Sequence, residues 1–249
     1  MPARALPRLS LSPAARAQLG IFLFAYLLYS AARFVTIGDL SVAQANADWI
    51  MNLEDTLSLG VESSVQQALT GSVWIWLLNH LYLAAQLVVL PGALVFLWHR
   101  SKPLYERLRN TILATWVLSI PIYAAFPVAP PRLADSGLVD TITTQTGLSL
   151  DSSLTTSFYN ELAAVPSLHV GFAVVIGMAV AAAVRNPVFR FAWLLWGPVI
   201  GLAVVATGNH YVFDIAAGVV AAGLGYLLGA AVARMAPSSP LPQPAYAKA

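Results

Sequence analysis

Four histidines occur in this chain of 249 residues, and two stand at the edges of long apolar runs. His169 ends Pro166-Ser167-Leu168-His169, and His210 opens His210-Tyr211-Val212-Phe213-Asp214. His210 and Asp214 are four apart, so on a helix they share a face. Asp214 can then accept a hydrogen bond from one ring nitrogen, which fixes the tautomer and leaves the other nitrogen as nucleophile or base. An aspartate inside an apolar run is costly without a partner or a role. A pairing that merely holds the bundle is the plain alternative. Pro166 is a favoured first-turn residue, so His169 is expected one turn inside a helix whose free N-terminal amides suit an anion such as phosphate. Its plain alternative is an interfacial histidine that caps the helix. A rival chemistry makes His169, His210 and Asp214 zinc ligands, although the other acids offer no obvious fourth partner.

The elements that must position these residues are membrane spans. Apolar residues make up 58% of the chain, charged residues 10%, and the mean hydropathy is +0.71; a soluble domain carries about 25% charged residues. Cysteine is absent, which excludes disulfides and thiolate metal sites. No basic run with interleaved aromatics suggests a nucleic-acid partner. Apolar runs over residues 19–32, 73–98, 111–128, 166–184, 188–207 and 210–232 predict an all-α, polytopic protein with six transmembrane helices. The first run is short, but Arg16 and Arg33 can snorkel to opposite interfaces. A basic segment before an apolar one also fits a signal peptide, without a convincing cleavage site. Pro91-Gly92 is expected to kink the second span.

Between the first two spans, Val42, Ala45, Trp49, Ile50, Leu53 and Leu57 recur at helical spacing, with Asp48, Glu54, Asp55 and Glu62 at the remaining positions. This predicts an amphipathic helix lying at the interface or over the bundle, with a solvated loop as the alternative. The domain reading is a cytoplasmic basic N-terminus over 1–18, a membrane catalytic domain over 19–233 and a disordered cytoplasmic tail over 234–249, rich in Pro and Ser.

Charge placement gives an orientation. With the N-terminus cytoplasmic, 11 of the 13 basic residues fall on the inner side, leaving Arg33 and Arg132 outside. Nine of the 11 acids fall in the two long outer connections, the exceptions being Glu106 and Asp214. An N-in, C-in topology follows. His169 then begins the fourth span at the outer face, and His210 and Asp214 begin the sixth at the same face. Their separation of 41 residues equals one crossing and one return of ~20 residues each.

PSLHV followed by HYVFD resembles the second and third signature motifs of the type 2 phosphatidic acid phosphatase superfamily. PSLH and HYxxD are most similar to its inositol phosphorylceramide synthase (inositol phosphotransferase) branch. Phe126-Pro127-Val128-Ala129-Pro130-Pro131-Arg132 is similar to that branch's FPxAPPR segment, and Asn46–Glu62, with Glu54 and Glu62, resembles the stretch before the second span in bacterial members. The resemblance covers most of residues 44–220. It implies a phosphohistidine on His210, oriented by Asp214, with His169 as the acid for the leaving alkoxide and then the base for the acceptor. It also implies Arg132 and Ser167 as ligands of phosphate oxygens, and neither metal nor other cofactor. Asn79 and Tyr82, in the outer half of the second span, are candidates for a headgroup pocket, with a polar helix contact as the equal alternative.

Departures from the superfamily's phosphatase signature bear on the reaction. That signature is Lys-x6-Arg-Pro, PSGH and Ser-Arg-x5-His-x3-Asp. Here Ala125 stands for the lysine, Leu168 for the glycine and Ala203-Val204 for the Ser-Arg pair. Fewer cations favour a diester donor, and so transfer over hydrolysis. The expectation is a multi-pass cell-membrane phosphotransferase, its active site extracytoplasmic, moving a phosphoryl or phospho-headgroup between a membrane lipid and a small polyol or lipid alcohol. Hydrolysis of phosphatidic acid or a polyprenyl phosphate is the alternative, and a non-catalytic membrane binding protein the remote one. The motifs do not separate these substrates, and the oligomeric state stays open.

Overall fold

The computed structural model describes residues 12–36, 38–148, 150, 152 and 160–235. The helices are α1 (Pro13–Thr36), α2 (Leu40–Thr56), α3 (Glu62–Leu69), α4 (Val73–Ala84), α5 (Leu90–Arg100), α6 (Lys102–Ala125), α7 (Thr141–Thr146), α8 (Leu168–Ala183), α9 (Pro187–Leu194), α10 (Trp196–Ala206) and α11 (Val212–Met235). Among the described residues there is no strand beyond an isolated bridge between Val128 and Ala163. The disordered reading of the tail and the reading of the first residues fall mainly on 236–249 and 1–11, outside the described residues.

Four segments are long and apolar enough to cross a membrane: Pro13–Ala32, Val73–Arg100, Pro187–Ala206 and Val212–Met235. The other two expected spans are of a different kind. α8 is apolar but has 16 residues, and α6 has 24 residues with Lys102, Glu106, Arg107 and Arg109 in its first half. In Val73–Arg100 the expected kink at Pro91-Gly92 takes the form of a π-helical turn over Ala85–Val89. Pro91 has no N–H to give to the preceding turn, and a local widening absorbs that loss.

The core has two parts. Toward the basic loops, Leu97, Leu108, Ile112, Phe172, Ile176 and Val180 form an apolar cluster between α5, α6 and α8. At the other end, Ala43, Ala47 and Ile50 of α2 pack on Val128, Ala129, Leu162, Val165 and Tyr211.

This second cluster corrects the sequence reading of residues 38–72. The chain forms two helices, broken where Ser58 takes a φ of 57°. The buried face of α2 is Ala43, Ala47, Ile50 and Glu54, whereas Val42, Trp49 and Leu57 of the expected apolar stripe are exposed. Glu54, expected on the polar face, is 2% exposed. Small residues let α2 approach closely, and Glu54 is inside because helix amides there need an acceptor.

Candidate active site

Two helix N-termini meet at the site. Ser167 is the N-cap of α8, so Pro166 lies before the cap and His169 is the second helical residue. That is nearer the helix end than the expected full turn. The other terminus follows a tight turn, in which Gly208 takes a φ of 72°, a conformation glycine adopts without steric cost. The amides of Asn209 and His210 both donate to the Val204 carbonyl, at 3.0 and 3.1 Å. The turn throws His210 inward, just before α11 begins.

The termini are joined directly. The Ser167 amide donates to the Asp214 carbonyl at 3.1 Å. The backbones come this close because residue 218, one turn beyond Asp214, is glycine. A Cβ there would lie 2.3 Å from the Ser167 carbonyl oxygen.

His210 Nδ1 lies 3.0 Å from Asp214 Oδ2. The tautomer with a proton on Nδ1 therefore donates to the carboxylate and leaves the lone pair on Nε2. The rings of His169 and His210 are 6.2 Å apart between centroids. Tyr82 stacks on the other side of His169, with centroids 4.2 Å apart and 17° between planes. Ser167 and Asp214 are fully buried and His210 is 7% exposed, whereas His169 and Tyr82 are partly exposed. Among the described residues, Ser167 Oγ and Asp214 Oδ1 are buried without a hydrogen-bond partner.

Arg132 reaches the turn from the connection after α6. Its amide donates to the Gly208 carbonyl at 3.0 Å and its Nη1 donates to Asn209 Oδ1 at 2.8 Å. Its Nε lies 3.9 Å from Asp140 Oδ2, and its charge acts on the His210 ring. Asn79 is placed differently. Its Nδ2 donates to the Thr141 carbonyl at 3.0 Å and its Oδ1 accepts from Thr141 Oγ1 at 2.7 Å. It ties α4 to α7, the polar helix contact weighed above.

Some residues of the site do not follow from the motifs. Tyr123 donates its hydroxyl to the Pro166 carbonyl at 3.0 Å. Asn209 links Arg132 to the His210 turn. Glu62 Oε1 accepts from the Val212 amide at 2.9 Å, and Glu54 Oε1 accepts from the Phe213 amide at 2.5 Å. Asp214 Oδ2 takes the Tyr211 amide at 3.0 Å. Three successive amides are thus held by three carboxyl groups. Burial pushes the Glu54 carboxyl up to about 8; the Phe213 amide opposes this and neighbouring Glu62 adds to it. One signal for Glu54 was in the sequence: it lies at helical spacing after Ala43, Ala47 and Ile50.

An all-helical protein with membrane-spanning helices and a His–Asp pair facing a second histidine is suited to phosphoryl chemistry on a lipid. A family model described as the PAP2 superfamily matches residues 48–228, and the chain belongs to that superfamily. Its chemistry is accordingly of the phosphatase or phosphotransferase type, on lipid phosphates. No curated protein and no solved structure matches the chain.

Proposed function

We propose that the protein is a metal-independent membrane phosphotransferase of the inositol phosphotransferase kind, acting on a phosphodiester lipid through a phosphohistidine at His210. The observation that carries this reading is the Asp214–His210 hydrogen bond with the His169 ring across from it. Nε2 of His210 attacks phosphorus, the P–O bond to the leaving alcohol breaks, and the departing oxygen takes a proton from His169. An acceptor alcohol then gives its proton to His169 and attacks phosphorus, and the N–P bond breaks. Asp214 holds the imidazole in register and balances the charge that develops on it. A protonated His169, only partly exposed, is stabilised by an anion beside it, and the substrate phosphate is that anion.

Arg132 and the unpartnered Ser167 hydroxyl suit the phosphate oxygens. Tyr82 sets the plane of His169, and Asn79 is proposed to shape the headgroup side through α7. Transfer is favoured over hydrolysis by the neutral side chains at Ala125, Leu168 and Ala203-Val204. They leave Arg132 as the cation acting on His210 among the described residues, a match for a singly charged diester. An apolar groove of about 420 Å³, lined by residues that include Val170, Val174, Gly201 and Ile215, runs beside α8 and α11 and suits a lipid chain. The six-span, N-in topology, with α6 and α8 as spans, puts the chemistry at the extracytoplasmic face. It is supported by the basic residues of the opposite loops.

The test supplies a headgroup-labelled phosphodiester lipid with a panel of alcohols. A new labelled phosphoester is expected. Rapid release of free phosphate from phosphatidic acid, with no preference for the diester, would overturn the transfer reading in favour of hydrolysis.

A further inference from the structure

We infer that Glu54 and Glu62 are positioning residues for the nucleophile: two buried carboxyl groups, from α2 and α3, that clamp the start of α11 and so aim His210 and Asp214. This rests on the reading of His210 as the reacting group. Glu54 comes from α2 and Glu62 from α3, so two elements outside the membrane spans converge on one turn. Each takes a single amide, Phe213 and Val212 respectively, and the residue after Phe213 is Asp214. Both acids are buried, at 2% and 7% exposure. The amides they take belong to consecutive residues, so the two carboxyl groups converge on the same helix end.

Burial favours a proton on Glu54. Two adjacent ionised carboxylates in a closed site repel, and one proton relieves that repulsion. The charged groups acting on Glu54 are Glu62 from α3 and Asp214 from α11, both acidic. Tyr211 feels the field of all three and of Asp48 on α2. Glu54 holds its proton up to about pH 8 because burial disfavours the anion. With the proton in place, the pair carries one negative charge against the positive end of α11. The incoming phosphate then meets less repulsion than two free carboxylates would present. Above that pH Glu54 ionises, its repulsion with neighbouring Glu62 loosens the clamp, and His210 loses its aim.

Glu54→Gln separates the proton from the hydrogen bond, because its amide oxygen can still accept from Phe213. Infrared difference spectra of the full-length protein in lipid nanodiscs, taken from about pH 6 to about pH 10, report the proton directly. The wild type should lose a buried-carboxyl band with a midpoint near pH 8, and E54Q should lack that transition. Release of the labelled headgroup from the phosphodiester lipid is measured over the same range. Wild-type activity should fall on the alkaline side. E54A should lose about tenfold or more at every pH, and E54Q should restore the rate while flattening the alkaline fall. An unchanged band in E54Q, or an alkaline fall in E54Q identical to the wild type, would overturn the inference. Full turnover by H210A would instead overturn the nucleophile reading, and the infrared result would still decide where the proton sits.

Discussion

The two helix ends that meet at the site are finished in opposite ways. At the start of α11 three consecutive amides, those of Tyr211, Val212 and Phe213, are each taken by a carboxyl group. At the start of α8 the N-cap Ser167 makes no side-chain capping bond, and its hydroxyl is buried without a partner among the described residues. A helix N-terminus attracts anions. The α11 end already holds its anions, so it is rigid and closed to phosphate. The α8 end has kept its donors for something else. On the proposed mechanism the difference divides the work: α11 holds the nucleophile still, and α8 receives the charge that moves.

The sharpest break in that comparison is loss of the nucleophile. His210→Ala should lower turnover on the order of 10⁴-fold or more with folding intact, read by activity beside thermal unfolding. Asp214→Asn should come next, at roughly 10³–10⁴-fold, because an amide no longer enforces a proton on Nδ1. It also weakens the acceptor for the Tyr211 amide. Equal activity in Asp214→Asn and the wild type would show that the aspartate only ties the helix end.

The α8 side of this picture was legible in the sequence, and half of the α11 side. His169, His210 and Asp214 stand out because polar residues interrupt apolar runs, but the shared helix face expected of His210 and Asp214 is not what joins them: α11 begins at Val212, and His210 meets Asp214 from the turn before it. The apolar runs foretold an all-helical membrane protein, and α4 with α5, α9 with α10, and α11 follow them closely. Glu54 was misread because hydrophobic periodicity assumes that apolar side chains mark the buried face. On α2 the buried face is chosen by close approach at Ala43 and Ala47 and by amides on a helix some 150 residues away in sequence. The helical spacing of Ala43, Ala47, Ile50 and Glu54 is the one local trace of that face, and the distant amides leave none. For Asn79 the sequence left a headgroup pocket and a polar helix contact equally open, and its partner, Thr141, lies too far along the chain for a local pattern to show it.

The next effect concerns how the two ends are brought together. Gly218→Ala places a methyl 2.3 Å from the Ser167 carbonyl oxygen, and backbone rather than a flexible side chain must yield. Overpacking of this kind costs about 1–3 kcal/mol. Here it should also part Ser167 from Asp214, so activity should fall further than stability. Thermal unfolding and turnover measured together read that split. A smaller effect is expected of Ser167→Ala. A hydrogen bond to a charged group contributes about 1.5–3 kcal/mol, so the rate should drop by roughly one to two powers of ten. Stability should stay level or rise, because the hydroxyl has no partner in the folded protein. A loss of stability with unchanged rate would remove Ser167 from the phosphate site.

The smallest effect falls on the closed end and is read without any substrate. Glu54 ionises near pH 4.5 in the unfolded chain and near pH 8 when buried. Between those values the folded protein holds a proton that the unfolded chain has released. Stability then falls as pH rises, because the unfolded state binds fewer protons than the folded one. The contribution is complete below about pH 4.5 and is lost by about pH 8, above which this group adds no further slope. Unfolding temperatures in detergent across that window should therefore decline in the wild type more steeply than in Glu54→Gln, which has no proton to lose. If the two slopes were equal, Glu54 would already be ionised in the folded protein. That result would overturn the proton on Glu54 and leave an alkaline opening of the α11 clamp without a cause.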